Sequence, residues 1–317
     1  MLRWLTECDQ GWPAGMGPLG ALSECKIRIS DAAEAGFDWL QDNLSGLFDA
    51  MALALEVMIE VILALLQDPP NTGWLYDLRR SEIDYLYPPE WHPILMTVIF
   101  VALAYRLHRG WRMPALLAAG LMFIINQGYW EETTESLTLV MAACVVCMGL
   151  GVPIGIAAAH RPRLYAAMRP VLDLMQTLPT FVYLIPAIVF FGIGMVPGLI
   201  ATVIFVLPAP IRLTHLGISS TPVALIEAAD AFGATPRQKL WKVELPYAAP
   251  QIMAGLNQTI MLSLSMVVIA ALVGADGLGV PVVRALNQVN TGLGFEAGLI
   301  IVVVAILLDR LLRVQRR

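Results

Sequence analysis

Charge is scarce in this sequence. Only 14% of its 317 residues are Asp, Glu, Lys or Arg, while 58% are hydrophobic; an ordinary globular domain carries about 25% charge. That balance excludes a water-soluble protein with a charged shell. A Gly-Lys-Ser/Thr phosphate loop is also missing, so nucleotide is not bound by that route. The four histidines, His92, His108, His160 and His215, are scattered near the ends of apolar runs and offer no metal-ligand spacing. The apolar runs lack the carboxylate series that a proton-coupled pump uses, which weakens an ion-coupled carrier. No basic stripe is present outside short loops, so no nucleic-acid partner is expected. The opening Met1-Leu-Arg-Trp-Leu-Thr-Glu7 lacks the long apolar core of a signal peptide.

Cysteine is equally sparse, with four residues. Cys144 and Cys147 lie inside an apolar run with no other soft ligand nearby, so they read as small packing residues. Cys8 and Cys25 lie in an acidic N-terminal tail. An oxidising compartment would let them form a disulfide, but spacing alone does not fix a pairing.

What remains is a chain of long apolar runs. They are continuous and about twenty residues long rather than alternating, which selects helices over a barrel. The fold class is therefore all-α, a polytopic membrane protein. About seven spans are expected, at 91–107, 111–128, 135–159, 171–194, 197–217, 248–273 and 295–312. Residues 1–90 form an acidic tail holding 15 of the 25 acids and 5 of the 20 bases. Within it, 44–66 reads as a helix with Leu47, Met51, Leu55, Met58, Ile62 and Leu66 on one face. Glu56 and Glu60 would each cost a few kcal/mol inside a bilayer, which favours an interfacial helix over a span. Residues 67–90 are a Pro-rich aromatic loop, and Trp91 suits a membrane interface.

The bases then set the orientation. Alternate loops, after the first, third, fifth and seventh spans, hold every Arg and Lys beyond residue 90 except Arg284. By the positive-inside rule those loops are cytoplasmic, the tail is outside and the C-terminus is inside. A true span at 44–66 would reverse the N-terminus and leave the rest intact.

Several spans are irregular. Asp173 to Pro186 carries two prolines and a polar cluster, predicting a kinked or broken helix, and Leu207-Pro-Ala-Pro-Ile-Arg212 does the same. Gln176, Thr177, Thr180, Tyr183, Asn257, Thr259 and Ser263 are candidate residues of a translocation path. Helix packing, which also favours small and hydroxyl residues, competes with that reading at each position. Asp173 lies near the cytoplasmic end of its span, within reach of water or an arginine. Gly274-Ala-Asp-Gly-Leu-Gly279 reads as a turn or re-entrant element.

The polar island at 221–246 stands apart. Thr221 and Pro222 offer a helix start, Gly233 a left-handed C-terminal cap, Thr235 to Gln238 a second start with capping-box spacing, and Pro246 a stop. Two short helices at a fixed angle in a cytoplasmic loop make a docking surface. Arg237, Lys239 and Lys242 either meet a partner's acids or solvate the loop.

This island resembles the EAA loop of ABC-importer permeases. Glu227, Ala228, Ala229, Gly233, Val243, Leu245 and Pro246 match the family spacing, with Val243 in place of Ile as the one departure, and Arg237 lies within it. The surrounding text, including Phe232-Gly-Ala-Thr-Pro-Arg-Gln238 and Met253-Ala-Gly-Leu-Asn-Gln-Thr259, is similar to the glycine betaine/proline betaine subfamily over roughly residues 90–312. The resemblance implies a type I (MetI-like) importer core of about five helices at 135–312, with accessory helices at 91–134. It implies a non-enzymatic subunit of a bacterial inner membrane, working as a homodimer with two ATPase subunits and an extracytoplasmic binding protein. ATP and Mg would sit on the partner ATPase, with no cofactor on this chain. The cargo implied is glycine betaine, proline betaine, choline, carnitine or trimethylamine N-oxide. Because the EAA loop is shared, a sulfonate or amino acid is an alternative cargo, and a channel or ion-coupled carrier is a third reading.

Overall fold

A computed structural model describes residues 6–8, 25–27, 29–67, 92–108 and 110–312. They divide into two compact units, Met1–Met51 and Ala52–Arg317. The first holds an antiparallel ribbon, β1 (Thr6–Cys8) and β2 (Cys25–Ile27), whose register sets Cys8 opposite Cys25. Helix α1 (Ile29–Gln67) begins in the same unit, well ahead of the expected 44–66, and ends where expected. Its early turns are polar and exposed, so apolar periodicity marks only the later ones. The expected aromatic loop and Trp91 lie outside the described residues.

In the second unit, α2 (His92–His108) and α3 (Arg112–Asn126) precede the 31-residue α4 (Trp130–His160). Then come α5 (Pro162–Thr177), α6 (Thr180–Phe191), α7 (Met195–Val206) and α8 (Pro208–Ser219). The short α9 (Val223–Ala231) and α10 (Pro236–Lys239) lead through a π-helical turn, Leu240–Glu244, into α11 (Leu245–Ala271). Helices α12 (Gly279–Gln288) and α13 (Thr291–Leu312) complete the described chain.

Among the described residues, four stretches are long and apolar enough to cross a bilayer: Trp130–His160, Met195–Ser219, Pro236–Ala271 and Thr291–Leu311. A fifth is the pair α5 and α6, bent by 96°. The expected single span at 171–194 is thus two helices. Leu178 is extended before Pro179, as a residue preceding proline is driven to be, and the α-helical ladder stops there. The expected spans at 91–107 and 111–128 correspond to α2 and α3, of 17 and 15 residues. At 1.5 Å per residue they cover about 25 and 22 Å, short of a hydrocarbon core of about 30 Å.

Helices α4, α8 and α11 make the central packing. Gly151 and Gly155 lie one turn apart on α4 and face α8. A Cβ at Gly155 would stand 2.7 Å from the Ile211 carbonyl oxygen, and one at Gly151 2.8 Å from the Pro210 ring. Only a missing side chain allows this approach, the small-residue contact favoured where lipid removes the hydrophobic drive. On the other side, Leu139, Ile260, Leu264, Ile300 and Val304 share one buried cluster with Leu121 of α3.

The last turns of α1, within this unit, run lengthwise beside α4. Gln67 Nε2 donates to Thr134 Oγ1 at 2.8 Å, while Ile59 shares a buried cluster with Ala142 and Ala143. Eight residues along α1 match eight or nine along α4, about 12 Å of depth. Glycines Gly274 and Gly277 form a turn, as expected, and the Leu278 N–H that follows donates to Ser136 Oγ at 2.8 Å.

Candidate functional site

The island at 221–246 is built from short-range rules. Thr221 is not the cap expected of it. The helix starts at Val223 with Pro222 as its extended N-cap, and Thr221 Oγ1 is buried without a hydrogen-bond partner. Helix α9 ends on a Schellman motif. The Gly233 N–H donates to the Asp230 carbonyl at 2.9 Å and the Ala234 N–H to the Ala229 carbonyl at 3.0 Å. Gly233 has φ +76°, and a Cβ there would meet nothing within 4 Å, so the backbone alone requires glycine. Thr235 and Gln238 then form the reciprocal capping box read from their spacing.

The surface this creates is open and mixes apolar with charged side chains. No residue of α9 or α10 is buried. Glu227, Ala228, Gly233, Arg237 and Pro246 are exposed, and Ala229, Val243 and Leu245 are half-buried. Phe232 is 92% exposed and Trp241 70%. Phe232 and Trp241 are thus bare aromatics on the same loop as Glu227, Ala228 and Ala229.

Several ties were not legible in advance. Lys239 Nζ lies 2.7 Å from Asp230 Oδ1 and bridges the two short helices across Gly233, so this lysine is engaged within the loop. Pro246 does not stop the helix. The Leu245 N–H reaches back five residues to Leu240, widening the turn just where a proline ring would clash with a carbonyl four residues earlier. His160, at the end of α4, places Nε2 2.9 Å from Glu244 Oε2.

The candidate path residues separate into two groups. Around the break, Tyr183 donates its hydroxyl to the Met175 carbonyl at 2.8 Å, and Thr177 Oγ1 bonds back to Leu174 at 3.3 Å. Thr180 opens α6, and Gln176 is half-buried at the end of α5. On α11, Thr259 Oγ1 is buried and bonds back to the Gly255 carbonyl at 2.9 Å, the pattern of a packing residue. Asn257 Oδ1 and Ser263 Oγ are buried with no hydrogen-bond partner among the described residues. Asp173 of α5 accepts from Arg212 of α8 at 2.7 Å.

Residues 151–317 match the family described as binding-protein-dependent transport system inner membrane component. This chain belongs to that family. The permease is 44% identical over 287 residues to a glycine betaine transport system permease protein of Bacillus subtilis, covering 90% of this chain and 93% of that one. It is 47% identical over 308 residues to a glycine betaine/proline betaine permease of Escherichia coli, covering 97% and 80%. It is 36% identical over 202 residues to a trimethylamine N-oxide permease of Ruegeria pomeroyi, covering 64% of this chain and 31% of that one. Among solved structures, an inward-facing MetNI methionine ABC transporter chain superposes with a TM-score of 0.52 at 24% identity, covering 62% of this chain and 98% of that one, which shows the fold. The permease is thus a transport subunit of an ABC importer rather than an enzyme, and membership implies an ATPase and a solute-binding protein as partners.

Proposed function

We propose that this chain is the membrane subunit of an ATP-driven importer for glycine betaine or a closely related methylated amine, such as proline betaine, choline, carnitine or trimethylamine N-oxide. Two copies pair, each gripped by one ATPase at the island 221–246, with ATP and Mg on the ATPase. An extracytoplasmic binding protein delivers the solute. The observation that carries this reading is the exposed, glycine-capped island holding Glu227, Ala228, Ala229 and Gly233 in a chain so similar to betaine permeases. A quaternary ammonium is held by aromatic faces through cation–π attraction. The few neutral polar groups at Gln176, Asn257 and Ser263 suit a weak path rather than a tight site.

In this reading the alternate basic loops, the island and the C-terminus face the cytoplasm, and the N-terminal tail lies outside. The lengthwise packing of Ile59 beside α4 favours a second reading for the tail alone, in which the last half of α1 enters the bilayer and residues before it lie inside. Calorimetry on the partner binding protein tests the cargo. Glycine betaine binding with no competition from taurine or methionine supports the assignment; tight binding of a sulfonate or amino acid overturns it.

A further inference from the structure

Helix α2 packs mainly on α3, and α3 packs in turn on α13 and α4. Between α2 and the rest of the bundle lies an apolar cleft of about 360 Å³. Ile124 of α3 and Leu307 of α13 belong to its buried floor. Leu103 of α2 and Met141 and Val145 of α4 line it too but are exposed, so they mark its mouth. Thr133 is the one lining residue whose side chain carries oxygen or nitrogen. Along α4 the lining runs from Thr133 to Val145, about 18 Å in a hydrocarbon core of about 30 Å. An apolar lining of that depth, open at the side, suits one extended hydrocarbon chain, which gains close contact on several sides at once.

Charge marks one end of the cleft. Arg106 follows Leu103 by three residues on α2, and Arg310 follows Leu307 by three on α13. Each arginine therefore shares a helix face with a lining leucine and lies one turn beyond it. Both are exposed, and Arg112 opens α3 at the same end. On these three helices the charges at this end are the three arginines against Asp309. An apolar slot with an excess of guanidinium groups at one end matches a molecule with a hydrocarbon tail and an anionic head.

We propose that this cleft is a phospholipid site, with one acyl chain between α2 and α4 and the phosphate against Arg106 and Arg310. The lipid belongs to the leaflet on the arginine side. Arginine makes charge-assisted, fork-shaped hydrogen bonds with phosphate, which hold the head while the tail fills the cleft. A second copy of the chain fits the charge less well. It inserts in the same orientation, so a helix of it placed here would bring its own basic end against this one. The tail then braces α2 and α3 on the core, where lipid removes the hydrophobic drive for helices to pack directly. The site is independent of the solute carried and of where the ATPase docks.

The test reconstitutes the full-length permease in phosphatidylcholine vesicles doped with a phosphatidylglycerol that carries a diazirine in mid-chain. Light attaches the chain to whatever it touches, and mass spectrometry of peptides locates the label. In wild type it is expected around Leu103 and Val145, about tenfold above the exposed face of α13 at Val302. A diazirine diacylglycerol, with the same chains and no phosphate, should show no such preference. Arg106→Gln combined with Arg310→Gln leaves the lining untouched, and Cys144→Phe fills the cleft. Each should lose the preference about tenfold while label at Val302 stays. The charge variant gives the answer even where Cys144→Phe fails to insert. Even labelling of all lipid-facing helices in wild type, equal preference with diacylglycerol, or unchanged labelling in the charge variant overturns the proposal. So do disulfide-linked permease pairs through Val145→Cys, with the native cysteines changed to alanine, because they assign the mouth to a second copy.

Discussion

Tyr183 donates its hydroxyl to the carbonyl of Met175, across the break where α5 turns by 96° into α6. The bend leaves carbonyls at the end of α5 without helical partners, and this phenol satisfies that of Met175. Tyr183→Phe keeps the buried ring and removes the strap. We expect a loss of about 1 kcal/mol in thermal stability, with the protein still inserted and uptake reduced. Differential scanning fluorimetry in detergent and uptake assays check this. Unchanged stability would show that the bend is set by Pro179 alone.

Gly233 tests the docking face through backbone alone. With φ +76° and open space around its α-carbon, an added methyl clashes with nothing but its own backbone. Gly233→Ala should cost about 1–2 kcal/mol, Gly233→Asn less, since Asn tolerates the left-handed region, and Gly233→Pro should abolish uptake because its φ is fixed negative. Membrane levels by immunoblot should be equal in all three. A ranking with Ala better than Asn would contradict the Schellman cap as the controlling feature.

Across the same glycine, the Asp230–Lys239 pair is expected to matter little. Lys239 Nζ to Asp230 Oδ1 is short, yet Asp230 is about half exposed. Asp230→Ala should change stability by less than about 1 kcal/mol, and less still in high salt. Thermal melts at two ionic strengths decide it.

The contact of α4 with α8 gives a steeper contrast. Gly155→Val drives a side chain into the Ile211 carbonyl and Thr214, whereas a Cβ at Gly149 would meet nothing within 4 Å. We expect Gly155→Val to cost more than about 2 kcal/mol or prevent stable insertion, and Gly149→Ala to be tolerated. Size-exclusion profiles of the two purified variants separate these outcomes.

How much could be read from the sequence depended on range. The cap at Gly233, the capping box at Thr235, the turn at Gly274 and Gly277 and the break at Pro179 follow from residues within a few positions, and the structure has each of them. Helix existence followed from apolar runs. What escaped was contact between distant segments. Nothing near His160 names Glu244, and nothing near Gln67 names Thr134. Thr221 misled because a hydroxyl before proline looks like a cap, while Pro222 itself takes that position. Pro246 misled because a π-helical turn absorbs its ring without ending the helix. The back-bond of Thr259 to the Gly255 carbonyl of its own helix was invisible until burial was known.

The tail offers a direct check on orientation. Cys8 and Cys25 stand opposite each other in the ribbon register, and Cys147 is buried. In intact cells treated with reductant, a membrane-impermeant maleimide should label Cys8 and Cys25 if the tail is outside. Labelling only after the membrane is opened supports the reading in which α1 enters the bilayer.

The island at 221–246 is the proposed place where ATP hydrolysis meets the spans. The most direct measurement is affinity purification of tagged permease with its co-expressed ATPase, followed by binding-protein-dependent glycine betaine uptake, for wild type, Glu227→Lys and Gly233→Pro. We expect wild type to retain the ATPase and transport, and both variants to reach the membrane normally but lose the ATPase and all uptake. Normal ATPase retention and uptake in both variants would contradict it.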